Sequence, residues 1–188
     1  MRYFALPIVL AVATMLPPTG AAERLLVLDP PRTRVGFLLD ATAHDVEGEF
    51  ALRSGEIRFD PETGAASGEI QVDLTSARTG NKKRDKTMHE RVLETARFPR
   101  AVFRPRRLDG ALAPEGTSEI VLEGVLAFHG AEHEWKLPAR VTRTGSRTVV
   151  DARFTIPFVE WGLHDPSFLF LRVSKTVAVH VTAEGEFR

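Results

Sequence analysis

Cysteine is absent from the 188 residues. The absence removes disulfide staples, thiol catalysis and thiolate metal ligation together, so packing and hydrogen bonds must hold the fold. Charge of one sign is also missing: 25 Lys and Arg balance 25 Asp and Glu. No net field draws the chain to nucleic acid or to an acidic polymer. Tyrosine occurs once, at Tyr3, against 12 Phe and two Trp. Aromatic content without hydroxyls suits an apolar interior better than an adaptable polar contact surface. The longest apolar run, Phe4–Leu16, has about 13 residues, short of the roughly 20 that span a bilayer as a helix. A stable membrane span is therefore not expected.

That run belongs to a leader. Arg2 supplies positive charge, the apolar stretch follows, and Pro17-Pro18-Thr19-Gly20-Ala21-Ala22 ends in small residues. This is the form of a secretory signal peptide over residues 1–22, removed to leave one domain over residues 23–188 in the bacterial periplasm.

Alternation with period two dominates the rest. Val35, Phe37 and Leu39 alternate with polar or small residues, as do Val46, Gly48, Phe50 and Leu52; then Ile57 and Phe59; then Ile70, Val72 and Leu74. Asp60-Pro-Glu-Thr-Gly64 between them is a strong turn. Further strands are expected at Val102–Arg106, Ile120–Phe128, Glu134–Leu137, Val149–Ile156 and Leu171–Phe187. Such strands, long, apolar on one side and joined by short turns, point to an all-β, closed antiparallel barrel of about eight strands, since closure removes exposed edges. Period 3.6 appears once. Met88, Val92, Leu93 and Ala96 share a stripe, Asn81 or Asp85 can cap its start and Pro99 stops it, which predicts one short helix near residues 84–96. Its narrow apolar stripe is expected to cover a barrel mouth, with Gly80 as the hinge of a lid. Arg84 and Asp85 are expected to anchor that segment to the rim.

His129-Gly-Ala-Glu132-His133 matches H-x-x-E-H, a zinc-protease pattern that needs a helix to bring both imidazoles beside the glutamate. Embedded Gly130 and the alternating flanks make it a hairpin turn instead, with its histidines exposed, and His44, His89 and His164 are too scattered to add a ligand. No G-x-S-x-G, G-x-G-x-x-G or P-loop occurs. These patterns nominate no catalytic residues, metal or cofactor. Lys82, Lys83 and Arg84, balanced by Asp85, Glu90 and Glu94, read as a solvated helix face.

Ser76-Ala-Arg-Thr-Gly-Asn-Lys-Lys-Arg-Asp85, followed by Met88 and by Arg97-Phe-Pro-Arg-Ala-Val-Phe103, resembles the signature of the YceI-like, polyisoprenoid-binding family. Gly48–Phe50, Gly55–Asp60, Glu123-Gly-Val-Leu126, His129-Gly130 and Lys136-Leu-Pro138 match in order, so the resemblance spans nearly the whole domain. Trp161–Ser167 and Phe168–Val173 depart from it, marking a divergent member. The resemblance implies a lipocalin-like barrel around an apolar channel holding an isoprenoid chain, in an exported bacterial protein.

With that implication, the expected ligand-binding residues are Phe37, Phe50, Phe59, Leu74, Arg84, Met88, Leu93, Phe103, Phe128, Phe154, Trp161 and Phe168. The expected partner is an isoprenoid lipid or quinone, and the sequence is compatible with a homodimer. Two other readings stand beside this one: an exported metal-dependent hydrolase using His129, Glu132 and His133, and a stress-related barrel without bound lipid.

Overall fold

The computed structural model describes residues 23–42, 44–167 and 172–188; residues 1–22, where a signal peptide is expected, and Phe168 lie outside them. Nine antiparallel strands occur among the described residues: β1 (Arg24–Leu28), β2 (Arg34–Leu39), β3 (Val46–Phe59), β4 (Ala66–Arg78), β5 (Arg100–Asp109), β6 (Gly116–Phe128), β7 (Ala131–Thr144), β8 (Arg147–Ile156) and β9 (Val177–Phe187). They fill eight positions of a closed barrel. β2 through β9 pair in sequence and β9 pairs back to β2, while β1 continues the β2 position, between β3 and β9. The interruption has a chemical cause. Pro30 and Pro31 have no N–H to offer the ladder, so the chain makes one tight turn over Pro30–Arg32. Thr33 stitches that turn, donating from Oγ1 to the Asp29 carbonyl at 2.8 Å.

The registers sort the connections into two ends. At one, the rim, lie residues 40–45, the helical insertion after β4, the β6–β7 hairpin and residues 157–176. At the other, the base, lie the 60–65, 110–115 and 145–146 turns and both ends of the domain, where Arg188 N donates to Leu25 O at 2.8 Å. Asp60 builds the first of those turns by accepting from the backbone N–H groups of Glu62 and Thr63.

Strict alternation would throw half of β3 to the wrong face, because Phe50 and Leu52 have even numbers while Ile57 and Phe59 have odd ones. A register shift between Leu52 and Ser54 inserts the extra residue and returns all four to the inside. Phe59, Ile120 and Val141 meet in the basal core, and Phe59 is only 2% exposed. The β6–β7 hairpin turns on His129 and Gly130, both with positive φ (50° and 80°), the geometry whose twist suits a two-residue connection. β7 and β3 are longer than the alternation signal, and β9 begins at Val177 rather than near residue 171. The chain before it returns across the rim, with Ser174 N donating to Asp40 O at 2.8 Å.

The helix occupies residues 82–92, not 84–96. α1 (Lys82–Thr87) starts on Asn81, whose Oδ1 accepts from Lys83 N and Arg84 N at 3.1 and 3.2 Å. A wider turn over Met88–Val92 follows and ends with Leu93 N donating to Met88 O. Glu94 at φ 46° then takes the chain out of the helix, and its carbonyl accepts from Arg97 N and Phe98 N. Leu93 is buried, whereas Ala96, beyond the break, is exposed.

Candidate functional site

Within the barrel lies a cavity of about 660 Å³, inside the range of roughly 300–1,000 Å³ typical of small-molecule sites. Every strand contributes to its wall, and helix and rim loops frame one end. Phe37, Phe50, Phe59, Leu74, Met88, Leu93, Phe103, Phe128 and Phe154 all stand along it, together with Arg84. The polar lining groups gather at the rim: His44 from the 40–45 connection, and Thr79, Asn81, Lys83, Arg84 and Thr87 around the start of α1. Thr33, at the β1–β2 break, is the exception. The site is thus hydrocarbon at depth and hydrogen-bonding at its entrance.

One of the expected residues falls elsewhere and one is not described. Trp161 does not reach the wall. Its ring stacks on His133, with centroids 3.7 Å apart at 11°, and meets Trp135 and Phe128 edge-on. The short turn that carries it is anchored by buried Phe158 and Leu163, which do line the cavity, so those two side chains occupy the inner positions of this turn. Phe168 lies outside the described residues.

The entrance is organised around Thr79. Its hydroxyl donates to Asp85 Oδ1 at 2.5 Å and accepts from Arg84 Nε at 2.8 Å, while its backbone N–H donates to the same carboxylate and its carbonyl accepts from Arg84 Nη2. Arg84 and Asp85 therefore anchor the insertion through a shared threonine rather than by pairing with each other. A second tie comes from His89. Because a carbonyl only accepts, Nε2, 2.9 Å from Ala77 O, carries the proton, and Nδ1 faces Thr95 Oγ1 at 3.2 Å. The helical segment is thus tied back across Gly80 at two points, to Thr79 just after β4 and to Ala77 within it. Sequence spacing gave no reason to select Thr79 or His89, since both depend on how the helix folds back on the strand.

The histidines of the hairpin are covered, not exposed. His129 packs at a tilt against Phe98, with ring centroids 4.4 Å apart at 51°, and places Nε2 3.1 Å from Glu94 Oε2, at ion-pair distance but off the line of a hydrogen bond. His133 lies under Trp161, and exposed Glu132 points toward Arg104. The three residues that define the hydrolase reading thus face three different partners on a hairpin, and no three His, Cys, Asp or Glu side chains converge as a cation site among the described residues.

β1 escaped the periodicity because Leu25-Leu26-Val27-Leu28 is a continuous apolar run; Leu26 and Leu28 are both buried and line the cavity.

A closed eight-position antiparallel barrel with one apolar chamber, entered past a short helix, is a lipocalin-like barrel. The YceI-like domain model matches residues 26–185, and the chain belongs to that family. Among solved structures it resembles a polyisoprenoid-binding domain from Saccharophagus degradans implicated in plant cell wall breakdown, with a TM-score of 0.68, 20% identity, and coverage of 86% of this chain and 97% of that one. It also resembles Burkholderia cenocepacia BcnA, with a TM-score of 0.67, 18% identity and coverage of 84% and 98%. The Campylobacter jejuni YceI protein matches over 98% and 97% at 12% identity, with a TM-score of 0.54. No curated protein matches the chain significantly. At these identities the structural likeness carries the fold.

Proposed function

We propose that the protein is an exported, non-enzymatic binding protein that holds the chain of an isoprenoid or other amphiphilic lipid, a quinone or polyprenyl lipid, inside the barrel. The observation that carries this is the partition of the cavity, apolar along its depth and polar at its entrance. Burying about ten methylene equivalents supplies about 8 kcal/mol, comparable with the roughly 4–15 kcal/mol that association costs. Chain burial therefore offsets the cost of association, and contacts to the polar head at the entrance would add net affinity. Arg84, already oriented by Thr79, would meet the polar head. Membership of the family and the likeness to the polyisoprenoid-binding domain from Saccharophagus degradans support the same ligand class, and the expected signal peptide supports release into the periplasm.

The test is organic extraction of the protein purified from a bacterium that exports it, followed by mass spectrometry. Recovery of a polyprenyl lipid or quinone in near-stoichiometric amount is expected. Recovery of none, with no uptake of an added isoprenoid alcohol or quinone, would overturn the reading.

A further inference from the structure

Phe37 and Gly48 face each other across the β2–β3 ladder, near the rim, where Leu39 and Val46 end the pairing. Gly48 is not there for its backbone, because it is absent from the residues with positive φ. It is there for space. A Cβ built on Gly48 would lie 2.2 Å from Phe37 Cζ and 2.5 Å from Cε1, distances that no side chain tolerates. The ring lies back over the glycine and packs on Phe50, with centroids 5.1 Å apart, so an aromatic side chain shields the bare backbone of its cross-strand partner. Both rings belong to the cavity wall, just below the entrance.

We propose that Gly48 sets the bore of the channel's throat. By letting Phe37 recline against β3, it keeps the passage wide enough for a methyl-branched chain. Any side chain at this position would push the ring off β3. Phe37 points into the barrel, so the displaced ring has only the channel to enter. This rests on the reading of the cavity as a lipid channel and deepens it, naming a position that selects chains by cross-section.

One competing consequence of a Cβ must be separated. It would also approach the Arg78 carbonyl on β4 to 2.7 Å and could act by spreading β3 from β4. A double-mutant cycle distinguishes the two. Binding of a branched isoprenoid alcohol and of an unbranched alcohol of equal carbon number is measured on the delipidated domain and on G48A, F37A and F37A/G48A, with thermal melts alongside. The expected result is that G48A binds the branched alcohol about tenfold more weakly, the loss equivalent to about two methylenes of contact, and the unbranched one with a smaller loss. F37A/G48A should bind as F37A does, because without the ring there is nothing to displace.

Folded G48A that binds both alcohols like the unsubstituted protein overturns the proposal. So does F37A/G48A that stays weaker than F37A, which would assign the effect to the Arg78 carbonyl. Should G48A fail to fold, recovery of folding and binding in F37A/G48A supports the proposal, and failure of both variants overturns it. Failure of the unsubstituted protein to bind either alcohol is a different result, and it removes the lipid reading itself.

Discussion

Thr79 serves two charged side chains with one hydroxyl, and that economy makes it more consequential than its size suggests. Replacing it with isosteric Val leaves the volume and both backbone contacts but removes the hydroxyl from Asp85 and Arg84. Thr79→Val should lower unfolding free energy by about 1–2 kcal/mol, in the lower part of the range for hydrogen bonds to charged groups because water reaches this site. Urea denaturation measures it, and a variant as stable as the parent would show the hub to be idle. His129 and His133 support a different expectation. Neither borders the cavity, and each packs against an aromatic ring at the rim, His129 tilted on Phe98 and His133 flat on Trp161. Replacing both by Ala should lower the melting temperature while leaving retention of co-purified lipid intact; lost retention with unchanged stability would place them in the binding machinery after all.

At the scale of elements, the insertion after β4 depends on one cap and two ties. Asn81→Ala should cost about 1 kcal/mol and accelerate amide exchange at Lys83 and Arg84, the two groups its carboxamide satisfies. Unchanged exchange there would mean that Thr79 and His89 alone fix the helix. The helix itself was legible from its stripe and from Asn81, but not its end, since a glutamate at positive φ is a tertiary choice that propensity does not announce. The strands were legible where apolar and polar residues alternate. They were not where the pattern is interrupted by a bulge, as after Leu52, or replaced by a solid apolar run, as in β1. The inward phenylalanines followed directly from alternation. Trp161 did not, because it sits on a turn whose buried positions, Phe158 and Leu163, differ from it by three and two residues, and no period distinguishes them. The stacked His133 was read as solvent-facing for the same reason: its partner arrives from a distant connection.

The whole molecule carries its charge outside in cross-strand pairs such as Arg140 with Glu119 and Arg147 with Glu184. Exposed pairs of this kind contribute little singly, but they fix the direction of the acid response. The Arg147 guanidinium bonded to Glu184 holds that carboxyl below its usual 4.5. The Glu62 backbone N–H does so for Asp60, and Ser167 for Asp165, each below the usual 3.8. Carboxyls whose folded values are depressed add stability above their unfolded values and lose it as pH falls through the folded ones. Thermal melts should therefore be flat from neutrality down to about pH 5 and fall below about pH 4; a melting temperature that rises on acidification through that window would contradict the assignment. The place where the barrel begins and ends has a practical consequence of its own. Arg24 and Arg188 emerge side by side at the base, across the barrel from the entrance. A linker or affinity handle fused after Arg188 would fasten the protein to a solid support with the helical insertion turned toward the bulk solution, so the immobilised barrel could be loaded, washed and read out without its attachment crowding that end.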